Sequence, residues 1–554
     1  MENIRLILAV VLSMMVFIAY QYFFGPKPPQ GQSPVESQEI AEVQQSAQAP
    51  AQEAAAAITP APAAAPIPEI EAPPGRPARD IIVDTPLYHA VFTEKGAGLT
   101  SLTLKDYFET QGENADPKKV LDLPPGAATM LNTMQRGSLG NLETAIFQAQ
   151  ELDDIQIKDQ DHSLTFTYKA PSGIVVNKIY TFHPNSYAMD CQLTVANNTL
   201  GPINDNLTFI LNNTMPTDKS SRIVFNGPVA LVDNTLEEFK VSEKKPEKSM
   251  EGTAKWVGLT WRYFMSGIIF PDAQEGSVKA VMESLDDLVQ TRFTTNPIVI
   301  PPGQTYSFSN SAFFGPKEGN ILEQAGMDQA LHFGFFHVIA KPCLWLMKHL
   351  YNYIPNYGVV IILLTLLIKV VLWPLGNKSY RSMEKMKKLQ PLMQELREKY
   401  KDDKQKMNQE VFALYKTFKV NPMGGCWPML IQIPIFIAFY KMLYAAIELR
   451  HSPFIWWITD LSAPDRLFHL PFKVPFMAEP YGIPVLTLIM GASMLLQQKM
   501  SPPPGDPTQA RMMMLLPLVF LFIFINFPSG LVLYWLVNNV ISIAQQYYIG
   551  KTSS

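Results

Sequence analysis

The stretch LLTLLIKVVLWPL, Leu363 to Leu375, is nearly pure hydrocarbon apart from Thr365 and Lys369. An ammonium near the centre of a membrane helix costs roughly 2.5 to 3.5 kcal/mol and usually faces a watery or protein-lined interior. Read as a span over 357–375, the helix places Lys369 about twelve residues, or ~18 Å, from one end and ~9 Å from the other. Thr365 lies one turn earlier on the same face. No acidic residue stands inside any other apolar stretch to pair with the lysine. The pattern therefore implies a polar cavity that reaches the cation from one side of the membrane and stops short of the other.

The rest of the chain fits a membrane protein with a large soluble part. Its 554 residues are 47% hydrophobic and 17% charged and include 46 prolines; that mixture suggests membrane spans joined to a water-facing domain. The net charge of −4 gives no reason to expect binding to a specific nucleic-acid sequence. Cys191, Cys343 and Cys426 are far apart and share no metal-ligand spacing, so no disulfide framework and no metal site is expected. Residues 1–24 hold an apolar run of about 20 residues without a small-x-small cleavage site, which reads as an uncleaved signal anchor. Residues 25–79, rich in Pro, Ala and Gln, read as an extended tether.

From about residue 80 to 320 the apolar period changes to two. Met189, Cys191, Leu193 and Val195 alternate with polar neighbours, as do residues of LTFTYK (164–169), and turn signals such as HPNS and APSG recur. This is the pattern of antiparallel strands in one large β-sandwich. The segment KWVGLTWRYF (255–264) reads as a buried strand with Arg262 pointing outward, or as one wall of a sugar-like groove. His89, His162 and His183 lack the acid and base partners of a catalytic group.

Residues 321–356 mix apolar, aromatic, lysine and histidine side chains as in an interfacial amphipathic helix. Five further spans are expected at 357–375, 421–447, 483–498, 512–527 and 531–549. The segment 376–420 carries twelve Lys or Arg against six Asp or Glu, whereas 448–481, the bulk of the 448–482 loop, carries three against four. The positive-inside rule then makes the first cytoplasmic and the second periplasmic. With six spans both termini and the loop 499–511 are cytoplasmic. Within 376–420, the stripes Met383, Met386, Leu389, Leu392, Leu396 and Met407, Val411, Leu414, Phe418 suggest a basic helical hairpin turning at KDDK. Its position invites anionic lipid heads or ribosomal RNA. The spans 483–498 and 512–527 amount to ~24 Å of helix against ~30 Å of hydrocarbon, a mismatch that favours local thinning.

The strings KVNPMGGCWPMLIQIPIFIAFYKMLYAAIELR (419–450), QQKMSPPPGDP (497–507) and NFPSGLVLYWLVNN (526–539) closely resemble the YidC type of bacterial insertase, in the YidC/Oxa/Alb family. The anchor, tether and β domain resemble its Gram-negative form. The resemblance implies a multi-domain membrane protein: an α-helical five-span core, a signal anchor, a supersandwich-like all-β periplasmic domain and a cytoplasmic hairpin. It implies an insertase and chaperone of the inner membrane with no cofactor, no catalytic residue and no bond chemistry. The implied partners are nascent membrane proteins, the Sec translocon with its accessory subunits, ribosome–nascent chain complexes and membrane lipids. Lys369 falls where the family keeps a positive groove residue, usually arginine; lysine keeps the charge but loses the bidentate fork. Thr365, Gln432, Phe436, Met490, Ile523, Tyr534 and Trp535 fall at positions similar to the groove wall and substrate-contacting slide.

Two other functions leave different traces. A secondary transporter with Lys369 as its substrate site would carry internal repeats, and none relates the halves of the core. A membrane-anchored sugar-processing enzyme would keep its activity within 80–316.

Overall fold

The computed structural model describes residues 77–134, 142–151, 153–214, 224–242, 245–282, 288–401, 403–418, 420, 427–501 and 507–553. The signal anchor at 1–24, the tether up to residue 76, the start of the 421–447 span and residues 502–506 of the 499–511 loop lie outside them. The described residues form two compact units, one holding 77–390 with 420 and 427–553 and the other 391–418.

Strict alternation builds the β domain. The strand Ala188–Asn197 buries every second side chain, Cys191 among them, and pairs antiparallel with both Ile174–Phe182 and Thr305–Pro316. These belong to a twelve-stranded sheet, beside which stands a sheet of five. The two face each other through aromatic rings: Phe92 of the smaller sheet lies 4.9 Å from Tyr180 and 5.6 Å from Phe182 of the larger. Ring pairs at such distances add to the area they bury. The expected sandwich is therefore present as an unequal pair of sheets.

A lysine stands in one of the buried strand rows. Lys178 stands in the buried row Ile174, Val176, Lys178, Tyr180, Phe182 and is 1% exposed. Its ammonium donates to the carbonyls of Gly96, Ala97 and Met130 at 3.2, 3.1 and 2.8 Å. Gly96 and Ala97 both sit at positive φ, which turns their carbonyls inward. A Cβ on Gly96 would stand 2.7 Å from the carbonyl oxygen of Glu143, so only glycine fits that turn. Burial pushes the Lys178 ammonium down to about 8.

The strand Glu247–Thr260 buries most of KWVGLT, with Trp256 fully covered. Arg262 does not point out to solvent, contrary to the sequence reading. It donates to the carbonyl of Tyr444 at 2.8 Å and stacks 3.8 Å from the Tyr444 ring, tying the β domain to the helices.

The interfacial helix expected over 321–356 is broken in two. Gly326 and Gly334 both take positive φ, so the chain forms α1 (Gly319–Gln324), two short 3-10 turns (Asp328–Ala330 and Gly334–Phe336) and then α2 (His337–Tyr351). Val338 and Trp345 of α2 are exposed, at 82% and 65%. The later helices are α3 (Tyr357–Val371), α4 (Trp373–Lys399), α5 (Lys404–Thr417), α6 (Trp427–Ala445), α7 (Val485–Met500), α8 (Pro507–Phe524) and α9 (Ser529–Ser553). In the first unit α9 packs on α3, α6 and α7, and α8 packs on α7.

α3 ends at Val371, four residues before the expected Leu375, and the chain bends by 68° into α4. Pro374 explains the break, since it has no N–H to carry the ladder onward to Val370. Lys369 thus stands in the last turn of its helix. In the second unit Asp403 caps α5 through the amide of Lys406 at 2.9 Å. There Met393, rather than the expected Leu392, is buried, its sulfur accepting from the Tyr415 hydroxyl at 3.6 Å.

Among the described residues no single helix is long and apolar enough to cross a membrane; α3 and α4 are so only as a bent pair. α6 and α8 have 19 and 18 residues, ~28 and ~27 Å at 1.5 Å per residue.

Replacing Lys178 with Met leaves three buried carbonyls without their donor. Relief of a desolvated charge offsets part of that cost, and a loss of about 2 kcal/mol is expected at neutral pH. Because the folded ammonium titrates near 8 and the unfolded one near 10.5, the unfolded state binds more protons between those values, and this group's contribution to stability rises with pH there. Denaturation of wild type and Lys178→Met from pH 7 to 10 should show a gap that widens above pH 8.

Candidate functional site

Thr365 and Lys369 lie one turn apart on the buried face of α3, 1% and 8% exposed. The Thr365 hydroxyl donates back to the carbonyl of Ile361 at 2.6 Å. Nζ of Lys369 donates to Oγ of Ser542 at 2.8 Å. Ser542 donates onward to the carbonyl of Asn538 at 2.7 Å. Among the described residues no carboxylate pairs with Lys369. An ammonium has three N–H donors and needs acceptors for all of them; the hydroxyl of Ser542 supplies one, and water can supply the rest.

The partners come from a polar face of α9. Asn538, Ser542 and Gln545 recur at i, i+4 and i+7, which places them on one side of a helix. Asn538 Oδ1 accepts from Gln432 Nε2 of α6 at 2.8 Å. Neighbouring Asn539 donates to Ser493 Oγ of α7 at 3.1 Å. Gln545 donates to Asn377 Oδ1 at 2.9 Å, at the start of α4. One helix thus joins four others through neutral amides and hydroxyls around a single cation.

Toward the other end of these helices the polar face gives way to rings. Phe436 of α6 meets Trp535 at 4.5 Å and Tyr534 at 6.2 Å, and Trp535 in turn meets Phe524 of α8 at 4.8 Å. Tyr534 also stacks on Phe439 at 4.7 Å. Met490 is fully buried in α7, whereas Ile523 is 48% exposed on α8.

The loop between α6 and α7 closes this second end. Asp465, 3% exposed, accepts from the Trp457 indole at 2.6 Å and from the amides of Leu486 and Thr487, the first turn of α7. Ser529 and Gly530, at the start of α9, donate to the carbonyls of Ala463 and Leu461 at 2.7 and 2.9 Å. The ring of Phe454 lies over Gly358 so closely that a Cβ there would stand 2.0 Å from it. Asn356 both caps α3 and donates to the Phe454 carbonyl at 3.0 Å.

The described residues hold no group of His, Cys, Asp and Glu suited to a metal ion. A cleft of about 660 Å³ on the β domain, lined by Glu251, Thr253, Glu275, Lys279 and Arg292 among others, lies away from KWVGLTWRYF, which the sequence had offered as a groove wall.

A model of the 60Kd inner membrane protein family matches residues 349–554, and one of the YidC periplasmic domain matches 80–346. The membrane protein insertase YidC of Syntrophus aciditrophicus is 44% identical over 481 residues, or 85% of each chain. The chain belongs to the YidC family. The relative from Pelobacter propionicus, of the same name, is 39% identical and covers 99% of both chains. A solved structure described as an active YidC insertase, with its first transmembrane domain resolved, shares 17% identity over 86% of this chain and 93% of that one, at a TM-score of 0.37. Membership in the YidC family makes this an inner-membrane protein with a periplasmic domain.

Of the expected site residues in this YidC-family chain, Thr365 and Lys369 share one face of α3, and Phe436, Tyr534 and Trp535 share one aromatic cluster. Gln432 joins the polar face through Asn538. The sequence reading missed Asn538, Ser542 and Gln545, although their helical spacing within an apolar segment was visible. Asp465→Ala removes the cap of α7 and the partner of Trp457. A loss of about 1 to 3 kcal/mol is expected, read as a lower unfolding temperature of the purified full chain.

Proposed function

We propose that this protein is a membrane-protein insertase and chaperone, working alone or beside the Sec translocon. The observation that carries the reading is a buried lysine that donates to a neutral hydroxyl, with no carboxylate partner among the described residues. In this reading Lys369 faces a groove open to the cytoplasm and to lipid, and the Asp465 loop closes the periplasmic side. Both termini are cytoplasmic, and residues 376–420 form a basic helical hairpin that meets lipid heads or a ribosome carrying a nascent chain.

A nascent segment enters with its polar tail or loop toward Lys369. At 4 Å and an effective dielectric near 20, an acidic group gains about 4 kcal/mol there before desolvation is counted. The apolar part of the segment slides along Phe436, Ile523, Tyr534 and Trp535 into a bilayer thinned by the short apolar helices. Burial of about 20 apolar residues drives transfer, and the membrane potential adds ~2.3 kcal/mol per translocated negative charge per 100 mV. Thr365, Gln432 and Met490 shape the groove wall. The work is movement of a protein segment, so neither a cofactor nor a catalytic residue is needed.

The test is insertion of a single-span substrate with an acidic translocated tail into vesicles carrying Lys369→Arg, Lys369→Ala or Lys369→Glu. Arg should keep insertion near wild type, while Ala and Glu should reduce it several-fold, and less so for a neutral tail. Equal insertion by all three variants would refute the role of the charge.

A further inference from the structure

The loop from Arg450 to Pro484 closes the helices, yet it also displays apolar side chains. Trp456, Phe468, Phe472 and Phe476 are 84%, 69%, 60% and 82% exposed. Trp456, Phe468 and Phe476 stand at φ of 53°, 55° and 65°, a region that disfavours bulky residues. Neither slackness nor a search for cover explains them, because this part of the loop is braced. The Arg466 guanidinium donates to the carbonyls of Pro480 and Ile525 at 2.9 and 2.8 Å and to Asn526 Oδ1 at 3.2 Å. Asn526 donates to the carbonyl of Phe476 and accepts from the amide of Ala478, both at 2.8 Å. The aromatic rings are held out from a fixed frame.

What covers them follows from what they adjoin. The Phe476 ring lies 6.4 Å from that of Phe522. Phe522, Val519 and Leu515 form an exposed stripe along α8, at 61%, 52% and 58%. In an inner-membrane protein such a stripe faces acyl chains. The Phe476 ring extends that stripe beyond the end of the helix, and aromatic rings are the side chains best suited to the boundary between acyl chains and headgroups. Lys473, exposed between Phe472 and Phe476, suits a lipid phosphate.

We propose that Phe468, Phe472 and Phe476 form an interfacial anchor that inserts into the outer leaflet of the inner membrane beside α8. The anchor fixes the depth at which α7 and α8 sit. The leaflet, though not the contact with lipid, rests on the topology proposed above.

The experiment places p-benzoylphenylalanine at 468 or 476 of the full chain in vesicles of phosphatidylethanolamine and phosphatidylglycerol, with the same photoprobe at Val519 and Leu200 as controls. Leu200 is fully exposed on the β domain. Irradiation should give phospholipid adducts, detected by mass, at 468, 476 and 519 but not at 200. Adducts at 519 alone, or adducts at 468 and 476 only to a second protein, would overturn the anchor. Sidedness is read independently by labelling Leu200→Cys with an impermeant thiol reagent in spheroplasts. Labelling from outside, above the wild-type level, supports the outer leaflet; labelling only after lysis overturns that assignment whatever the adducts show.

Discussion

A lysine ammonium surrounded by hydrocarbon must find acceptors or lose its charge, and the helical core is arranged around that requirement. Ser542 meets it directly at 2.8 Å, and Ser542 is itself anchored on the Asn538 carbonyl. This acceptor is neutral. A carboxylate in its place would form a closed pair, which buries well but leaves no field for a visitor. A hydroxyl satisfies one N–H and leaves the positive charge uncompensated. The interaction is thus strong enough to position the cation and too weak to neutralise it, which is what transient attraction of an acidic segment requires.

Closure on one side follows from different chemistry. Asp465 caps α7 and holds Trp457, Arg466 gathers backbone carbonyls, and the glycine at 358 admits the Phe454 ring. Most of these contacts are directional hydrogen bonds, suited to fixing a loop over helix ends. Arg262 extends the same logic to the β domain, where its guanidinium lies on Tyr444 and bonds that residue's carbonyl. The core of the β domain, by contrast, is held by alternation and by rings such as Phe92 against Tyr180. Removal of β-domain contacts and removal of loop contacts should therefore be separable effects.

Much of this organisation was legible in the sequence because it rests on periodicity. The two-residue period around Cys191 announced a sheet, and apolar runs announced the helices. Lys369 stood out because nothing near it in sequence shared its polarity. What stayed hidden depends on pairing across the chain. Ser542 is 173 residues from Lys369, and only packing of α9 against α3 makes it a partner. Lys178 hides within an apolar strand because its acceptors are carbonyls of turns around Gly96 and Met130. The early end of α3 was readable from Pro374, but hydropathy carried the span past it. Arg262 was read as solvent-facing because its ring partner, Tyr444, belongs to another element.

The proposed groove requires that water reach Lys369 from the cytoplasmic end and stop before the periplasmic one. A nitroxide on a Thr365→Cys variant in a bilayer, with deuterated water on both sides, tests this directly through deuterium modulation of its spin echo. Strong modulation is expected, together with relaxation by an impermeant paramagnetic ion added to the cytoplasmic face and none from the periplasmic face. A dry spectrum, or equal relaxation from both faces, would contradict it.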